Sequence, residues 1–476
     1  MASNNDAPTR VLMVSFPAQG HINPLLRLGK HLAAKGLSVT FSTTESIGKD
    51  IRAATSANNA LHWRIGAGSL TFEFFEDGLS DDDPMRKNLL DYTVQLERVG
   101  RKVISHMIKK HAESNGLFSC IINNPFVPWV CDVATELGIP CALLWIQSVA
   151  VFTAYYHYFN KSLPFPTETD LYLDVPLPNV VLKHDEIPDF LHPFSPFPFL
   201  GKLILEQFKN LSKPFCILVD SFEELEFDCV KYLSKHLLVR PVGPLVKDPT
   251  HGNGVIRGDM VKVDDCMGWL SSKAPSSVVY ISFGSVVYLP QEQIDEIARG
   301  LLMSKVSFLW VLKPPRRNLG LEPHVLPEGF LKQTSEGGKV VQWSPQEEVL
   351  AHPSVACFLT HCGWNSSMEA LTFGVPVITF PAWGDQVTNA KFLVDVFGVG
   401  VRLGHRQAEN KVVTGHEVEN CLLKAMVGDT AEVLKRNALK WKDAADTATA
   451  HGGSSYRNLD AFVADIKTRS MGKFFC

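Results

Sequence analysis

The stretch RVLMVSFPAQGHINPLLRLGKHLAAKGLSVTFST (residues 10–43) decides the fold. It begins with a short apolar run that stops at the turn PAQG, and apolar residues then recur at helical spacing from about His21 to Lys35. A β-rich run, residues 37–43, follows at once. A strand, a helix and a strand within about 35 residues form a βαβ unit, which implies a parallel sheet.

The same alternation recurs in both halves of the chain. In the first half, residues 118–124, 128–138 and 139–145 have the patterns of a strand, a helix and a strand. In the second half, a helix (291–304) lies among apolar strands at residues 276–285, 307–313, 339–344, 355–361 and 375–381. Residues 241–259, between the halves, are rich in Pro and Gly and have the composition of a linker. We therefore predict an α/β protein with two Rossmann-like doubly wound domains facing a cleft, where ligands bind beyond the carboxyl ends of the strands.

The composition excludes several classes of function. Of 476 residues, 46 are basic and 50 acidic, and the formal charge of −4 gives no electrostatic footprint for nucleic acid. The ten cysteines include no CxxC pair, which is typical of thiols in a reducing compartment and not of a disulfide framework or a zinc site. The best membrane candidate, residues 141–152, contains Gln147 and Ser148 and is shorter than the ~20 residues that a span needs. We expect no integral membrane segment and a cytoplasmic location.

A second informative stretch is LTHCGWNSSMEAL (359–371). An apolar strand ends at His361, a glycine permits a tight turn, and Asn365 and Ser366 can cap a helix that runs onward from Ser367. Such a strand-to-helix turn presents free backbone N–H groups and the positive end of the helix dipole, which together bind phosphate. The stretch therefore predicts an anion site.

Three other interpretations are open for these residues. Ser366-x-x-Glu369 fits a capping box, which would give the carboxylate a structural role only. Cys362 beside His361 is a formal catalytic pair, although neighbours in sequence rarely face one another. A metal site would need more ligands at compatible spacing. The acidic triplet at 81–83 is a formal metal-binding rival, and a solvated turn is its simpler interpretation.

Residues 343–386, WSPQEEVLAHPSVACFLTHCGWNSSMEALTFGVPVITFPAWGDQ, resemble the signature box of plant UDP-dependent glycosyltransferases over its full length. The likeness covers almost the whole chain, from FPAQGHINP (16–24) through GPL (243–245) and YISFGS (280–285) to GGSSYRNLDAF (452–462). It implies two Rossmann-like domains of the inverting, metal-independent class. In that class a helix terminus and hydrogen-bond donors stabilise the departing diphosphate.

The resemblance implies four segments. They are an N-terminal acceptor-binding domain (1–245), a linker (246–262), a C-terminal UDP-sugar-binding domain (263–455) and a C-terminal helix (456–476) that packs back on the N-terminal domain. It also implies UDP-glucose as the donor substrate, a small aromatic acceptor, no cofactor, no metal and a monomeric protein.

Within the signature box the resemblance implies a role for each polar residue. Trp343 stacks on uracil with Gln346 close by, and Glu369 accepts hydrogen bonds from the ribose hydroxyls, for which a carboxylate offers several lone pairs. UDP is bound further by Ser285, His361, Gly363, Asn365 and Ser366, and the sugar by Trp364, Asp385 and Gln386. The final Gln accompanies glucose more often than galactose in the family. Cys362 has no chemical role and fills the turn.

His21 opens the first helix, at the carboxyl end of the first strand. In the family this imidazole is the general base that deprotonates the acceptor, and an Asp from a neighbouring strand steadies it. Here Asn124 stands at the position of that Asp, and an amide cannot stabilise an imidazolium as a carboxylate does. Asp132, further along, is interpreted as solvated. A phenol, with a pKa near ~10, must lose its proton during attack, whereas a carboxylic acid, near ~4, is already ionised and tolerates the missing Asp.

Four segments, FSTTESIGKDIR, FEFFEDGLSDDDP, CIINNPFVPWVCDVA and LLWIQSVAVFTAYYHY, resemble plant enzymes that form glucose esters of hydroxycinnamic and hydroxybenzoic acids. We therefore predict an inverting UDP-glucose-dependent glucosyltransferase acting on the carboxylate of a phenolic acid. The acceptor-pocket candidates are Gln19, Phe126 and Gln147, and most other aromatic residues of the N-terminal half are assigned to the core. The alternatives are transfer to a phenolic or flavonoid hydroxyl and a nucleotide-sugar-binding protein without turnover. A dinucleotide-dependent oxidoreductase is disfavoured, because neither PAQGHI nor FGSVVY makes a G-x-G-x-x-G fingerprint.

Overall fold

The computed structural model describes residues 9–54, 61–114, 116–247, 264–315, 321–404 and 412–471. Each half of the chain forms one large, predominantly parallel β-sheet with helices between successive strands. The predicted α/β class with two Rossmann-like units is thereby confirmed.

The first half contains the strands β1 (Arg10–Val14), β2 (Ser38–Ser42), β3 (His62–Ile65), β4 (Gly68–Phe72), β5 (Cys120–Asn123), β6 (Cys141–Trp145), β7 (Val175–Leu177), β8 (Val180–Leu182), β9 (Ile217–Val219) and β10 (Val239–Pro241). Its helices are α1 (Gln19–Ala34), α2 (Glu45–Ala54), α3 (Leu89–Ser114), α4 (Trp129–Glu136), α5 (Val149–Phe159), α6 (Pro198–Lys209) and α7 (Phe227–Leu233), with 3-10 turns at Pro84–Lys87 and Asp189–Leu191. The sheet order is β10-β9-β6-β5-β1-β2-β4-β3, and only β3 runs antiparallel to its neighbour among these described strands. The strands β7 and β8 form a separate antiparallel pair.

The second half contains the strands β11 (Val278–Ser282), β12 (Ser307–Val311), β13 (Gly338–Val341), β14 (Val355–Thr360), β15 (Val377–Thr379) and β16 (Gly400–Arg402). Its helices are α8 (Met267–Ser271), α9 (Gln291–Ser304), α10 (Phe330–Gln333), α11 (Gln346–Ala351), α12 (Trp364–Phe373), α13 (Gln386–Lys391), α14 (Gly415–Met426), α15 (Gly428–Thr449) and α16 (Ser454–Met471), with a π-helical turn at Phe392–Val396. The six strands are parallel in the order β13-β12-β11-β14-β15-β16.

Each sheet reverses its strand order beside its first strand. β1 lies between β2 and β5, and β11 lies between β12 and β14. In doubly wound sheets, ligands bind at this switch point, beyond the carboxyl ends of the strands. The residues that follow these strand ends include His21, Asn124, Gly284 and His361. The topology therefore selects these residues without reference to any family.

The strands are buried on both faces, which is why they appear in the sequence as continuous apolar runs. β11 and β6 are buried at every position. Residues 141–152 form β6 and the first turn of α5, so the apolar character of this segment belongs to the core. No helix among the described residues is long and apolar enough to cross a membrane.

The last helix, α16, packs against the sheet of the first half. Leu459, Phe462, Val463 and Ile466 are buried in one apolar cluster with residues of β1, β2 and α1. The stacked rings of Phe215 and Phe462, 5.8 Å apart, lie at this contact. The predicted linker, 246–262, lies outside the described residues except for its first two positions, and the domain boundaries stay predictions.

Candidate active site

The helix α12 begins directly beyond the switch point of the second sheet. Gly363 is its N-cap, no side chain caps it, and the first intrahelical bond runs from the Ser367 N–H to the Gly363 carbonyl at 3.0 Å. The prediction of a helix from Ser367, capped by Asn365 and Ser366, is wrong because both residues lie inside the first turn. The N–H groups of that turn have no intrahelical partner and can bind an anion.

His361 lies between two glycines. A Cβ added to Gly284 would lie 2.5 Å from the imidazole, and one added to Gly363 would also clash with the ring. Burial and, to a smaller extent, the positive charge of the nearby Lys313 lower the pKa of His361 to about 3. The ring is therefore neutral at physiological pH, and its Nδ1 is buried without a hydrogen-bond partner in the described part of the chain.

Glu369 lies inside α12 with both oxygens engaged. Oε1 accepts from Arg27 Nη2 at 2.5 Å and Oε2 from Gln346 Nε2 at 2.6 Å, and the Ser366 hydroxyl accepts from the same Gln346 nitrogen at 2.9 Å. The capping-box interpretation is wrong, since Ser366 does not occupy the N-cap. Burial raises the pKa of Glu369, and the positive charge of Arg27 opposes that rise.

Trp343 follows β13 with a half-buried side chain. The Asp264 carboxylate fixes its backbone by accepting from the N–H groups of Gln342 at 2.7 Å and Trp343 at 3.3 Å. A partly exposed indole on a fixed backbone suits stacking on a nucleobase.

Asp385 and Gln386 lie at the start of α13. Burial raises the pKa of Asp385 to about 6, opposed by a hydrogen bond that Asn389 donates at 2.7 Å and by the Gln147 side chain. Gln147 belongs to the first half of the chain, so it lies beside a predicted sugar-binding carboxylate. The side-chain oxygen of Gln386, Oε1, accepts from the Ala382 N–H at 2.9 Å, and the sugar-binding role of Gln386 stays a prediction.

Trp364 has a different environment from the one predicted. Its side chain is buried, and the indole N–H donates to the Asp220 carbonyl of the first half at 2.8 Å. This donor is already used, so a sugar contact would have to come from another atom of Trp364. The sugar-binding role stays a prediction.

His21 lies in the first turn of α1 between two aromatic rings. The ring centroids of Phe16 and Phe126 are 5.1 and 5.2 Å from that of the imidazole. Burial lowers the pKa of His21 to about 4, against smaller opposing effects of the Asn124 side chain and the Pro125 backbone. Nδ1 is buried and has no well-aligned hydrogen-bond partner in the described part of the chain. No carboxylate among the described residues pairs with the ring.

Asn124 binds the backbone that leads into α1. Its Oδ1 accepts from the Phe16 N–H at 3.1 Å, and its Nδ2 donates to the Ser15 hydroxyl at 3.2 Å and to the His21 carbonyl at 2.9 Å. The amide thus fixes the turn around His21. The prediction that Asp132 is solvated is wrong, because Asp132 forms ion pairs with Arg101 and Lys213.

The two switch points meet through one hydrogen bond. Asn365 Nδ2, in the first turn of α12, donates to the Gly20 carbonyl at 3.0 Å. Gly20 directly precedes His21 in α1. The anion-binding helix terminus and the imidazole are therefore neighbours, as transfer of a group from an anionic leaving group to an acceptor requires.

Comparison with known proteins supports one family. Residues 263–443 match the family model "UDP-glucoronosyl and UDP-glucosyl transferase", and residues 8–65 match "Glycosyltransferase, N-terminal domain". A gallate 1-beta-glucosyltransferase of Punica granatum is 58% identical over 468 residues, which cover 98% of this chain and 90% of that protein. The chain belongs to the UDP-glucuronosyl and UDP-glucosyl transferase family.

Two further comparisons agree. A cinnamate beta-D-glucosyltransferase of Fragaria ananassa is 56% identical over 464 residues, 97% of this chain and 83% of that protein. The crystal structure of Os79 from O. sativa in complex with UDP matches with a TM-score of 0.83 and 29% identity, covering 96% of this chain and 100% of that one. Residues 343–386 therefore belong to a UDP-glycosyltransferase, as their resemblance implied.

The acceptor candidates of this glycosyltransferase have different surroundings. Phe126 lies beside His21 with φ of 73°, a left-handed conformation that is rare for a bulky residue and marks a constrained position. Gln19 is buried and donates to Asn23 at 2.8 Å, within its own helix. Gln147 lies at Asp385, away from the imidazole's immediate ring contacts.

The other aromatic residues of the first half have different surroundings. Trp129, Trp145 and Tyr155 are buried in the core, Phe197 packs on Trp383, and Phe194 is 61% exposed.

The rival sites of the sequence have ordinary structural roles. Cys362 is fully buried, and burial raises the pKa of its thiol, which opposes formation of a nucleophilic thiolate. In the triplet at 81–83, Asp81 pairs with Lys49 at 2.9 Å and Asp83 accepts from the Met85 N–H at 2.8 Å. Within the described ranges, no three His, Cys, Asp or Glu side chains are grouped to hold a metal ion.

Sequence reasoning missed three residues of the glycosyltransferase site. Arg27 pairs with Glu369, Asn389 donates to Asp385, and Lys313 lies near His361 and donates to the Gly284 carbonyl at 3.0 Å. Arg27 had a usable signal, since it interrupts an apolar face of α1. Asn389 lies just beyond the signature box and Lys313 ends the predicted strand 307–313, and neither has a distinctive local pattern.

Proposed function

We propose that the protein transfers glucose from UDP-glucose to the carboxylate of a phenolic acid and forms a 1-O-acyl-β-glucose. Relatives named for gallate and for cinnamate glucosylation, 58% and 56% identical over nearly the whole chain, support this class of acceptor. A cytoplasmic location and a monomeric state stay predictions from the sequence.

The observation that carries the proposal is the environment of His21. Its imidazole has a pKa of about 4, and it pairs with no carboxylate in the described structure. A base this weak is poorly matched to a phenol of pKa near ~10, whereas an ionised acid needs no proton removed. Asn124, which binds backbone groups around the imidazole, gives no charge that would stabilise an imidazolium.

The chemistry follows from the groups around the two switch points. An acceptor carboxylate oxygen forms a bond to C1 of glucose while the bond from C1 to the diphosphate oxygen breaks, so the configuration inverts. The leaving UDP takes the electron pair of that bond. In the proposal the first turn of α12, with neutral His361 and Asn365, stabilises the charge that develops on UDP, and no metal is needed. Phe16 and Phe126, around the imidazole, offer apolar faces for the ring of the acid.

An acceptor panel tests the proposal. The protein is incubated with UDP-glucose and gallic acid, cinnamic acid or a simple phenol, and release of UDP is measured. We expect release with both acids and a product that mild alkali hydrolyses, as an ester must. An alkali-stable product would assign transfer to a hydroxyl, and UDP binding without release above background would assign a binding protein without turnover.

The same panel tests the role of His21. We expect His21→Ala to lower kcat/KM for the phenol much more than for either acid, because only the phenol needs a base. His416→Ala is the matched control, since this histidine is 81% exposed and lies on α14. An equal loss of kcat/KM for the phenol and for the acids would refute the assignment of a carboxylate acceptor, which rests on the weakness of His21 as a base.

A further inference from the structure

Arg27 lies on α1, six residues after His21, and reaches the second half of the chain. Its side chain is 9% exposed, and Nη2 lies 2.5 Å from Oε1 of Glu369, which is 6% exposed. The same nitrogen also contacts Glu347 on α11, which is 41% exposed. One buried cation of the first half therefore pairs with two carboxylates of the second half.

The ion pair includes a carboxylate of the proposed donor site. Glu369 is the residue that would accept hydrogen bonds from the donor's ribose, if the proposed UDP-glucose donor is correct. An ionised carboxylate offers about four acceptor positions. Arg27 and Gln346 use one on each oxygen, so about two remain for a pair of ribose hydroxyls.

We infer that Arg27 is a positioning residue, which keeps the Glu369 carboxylate ionised and oriented for the ribose of the donor nucleotide. This inference rests on the proposed function and adds a residue from the opposite half of the protein to the donor site. Arg27 acts through Glu369 and needs no contact with the sugar nucleotide itself.

The charges around the pair explain why the cation is needed. In the described part of the chain, the other titratable groups that face Arg27 or Glu369 are Glu347 on α11, Asp220 after β9 and the Tyr280 hydroxyl on β11. Burial already raises the pKa of Glu369, and Glu347 raises it further, whereas Arg27 lowers it. Without the guanidinium, the buried carboxylate would take up a proton and lose part of its capacity to accept from ribose.

The bond geometry also restricts the carboxylate. Arg27 holds one oxygen from the side of α1, and Gln346 holds the other from the start of α11. Arg27 Nη1 is buried and has no hydrogen-bond partner among the described residues, so the guanidinium is fixed through Nη2. Loss of Arg27 removes one of the two bonds that set the rotation of the carboxylate.

The first experiment measures the Kd of UDP by calorimetry, without acceptor or turnover, as a function of pH. We expect Arg27→Met to weaken binding about tenfold or more near pH 6.5, and the loss to shrink as the pH rises, because a higher pH favours ionisation of the unpaired Glu369. Arg27→Lys, which keeps the charge, should retain most of the affinity with little dependence on pH. Arg299→Met is the control, because this arginine is 65% exposed and pairs only with Glu296 on its own helix among the described residues.

A double-mutant cycle separates this role from a structural one. Glu369→Gln cannot ionise, so adding Arg27→Met to it should cause little further loss of UDP affinity. The double variant leaves no unpaired charge at Glu369, which guards against failure to fold. A pH-independent loss in Arg27→Met, or the same loss in both backgrounds, would overturn the inference. Failure of the wild-type protein to bind UDP would instead reject the proposed donor.

Discussion

The substitution Asn124→Asp tests whether Asn124 is a structural clamp or a weakened catalytic partner. Asn124 donates two hydrogen bonds, to the Ser15 hydroxyl and the His21 carbonyl, and accepts one from the Phe16 N–H. An ionised Asp keeps the accepted bond and loses both donors. At about 1 kcal/mol per hydrogen bond, this alone costs about 2 kcal/mol. Placing a buried carboxylate oxygen against the His21 carbonyl leaves an unsatisfied acceptor and adds about 1–3 kcal/mol.

The expected loss of about 3–5 kcal/mol is measurable by scanning calorimetry. At about 2–4 °C per kcal/mol for a domain of this size, the melting temperature should fall by roughly 6–20 °C. Asn124→Ala is the comparison variant, because it loses all three side-chain bonds of Asn124 and adds no charge. The two variants differ in the added charge and in the bond from the Phe16 N–H, so a lower melting temperature of Asn124→Asp despite that retained bond would report the cost of the charge.

The same variants test the chemistry. A carboxylate at position 124 would raise the pKa of His21 and favour base catalysis, so Asn124→Asp should increase kcat/KM for a phenol relative to a phenolic acid. Asn124→Ala should leave that ratio near the wild-type value. The reasoning is refuted if Asn124→Asp has the melting temperature of the wild-type protein, or if the two variants have the same ratio of kcat/KM for phenol to kcat/KM for the acid.

Two further predictions concern the donor site. Gly284→Ala should raise the Kd of UDP, measured by calorimetry, about tenfold or more, because the new Cβ would displace the His361 ring. Gly138→Ala, at a similar positive φ but with nothing within 4 Å of the new Cβ, should leave the Kd unchanged. Equal Kd values for the two variants would contradict the steric explanation. Asp385 has a pKa raised to about 6, so folding favours its protonated form. The resulting contribution to stability is fully present below the unfolded pKa of 3.8 and is lost as the pH rises through about 6. Asp385→Asn should therefore raise the unfolding free energy by up to about 3 kcal/mol at pH 8 and by little at pH 4; a gain that is the same at both pH values, measured by urea titration, would reject this sign.

The fold could be predicted because the strands of a parallel sheet are buried on both faces. β1, β11 and β14 were therefore visible as apolar runs, and the helix after β1 as a periodic segment. The edge pair β3 and β4 was not predicted, because half-exposed strands such as His62–Ile65 have little apolar contrast. The start of α12 was placed too late because Asn and Ser favour N-caps, whereas here the glycine before them takes that position.

The candidate site was predictable where a motif is continuous, and not where it depends on contacts between the two halves of the chain. The residues of 343–386 are close in sequence, so one resemblance identified them together. The partner of Glu369 is 342 residues away in the chain, and no spacing rule connects the two. The indole of Trp364 is likewise committed to Asp220 by packing between the halves, which no local pattern indicates.

The helix α1 connects the two chemical tasks of the site. His21 and Arg27 are six residues apart on it, about 9 Å along the axis at 1.5 Å per residue. His21 lies at the proposed acceptor site, and Arg27 pairs with Glu369, the carboxylate proposed to bind the ribose. Asn124 and Asn365 both bind carbonyls of its first turn, at His21 and Gly20. Because both side chains belong to this one helix, we expect a change that displaces its first turn to move the His21 imidazole and the Arg27 guanidinium together. We therefore expect α1 to couple the acceptor side to the nucleotide side through the protein, in addition to the direct contact that the transfer itself requires.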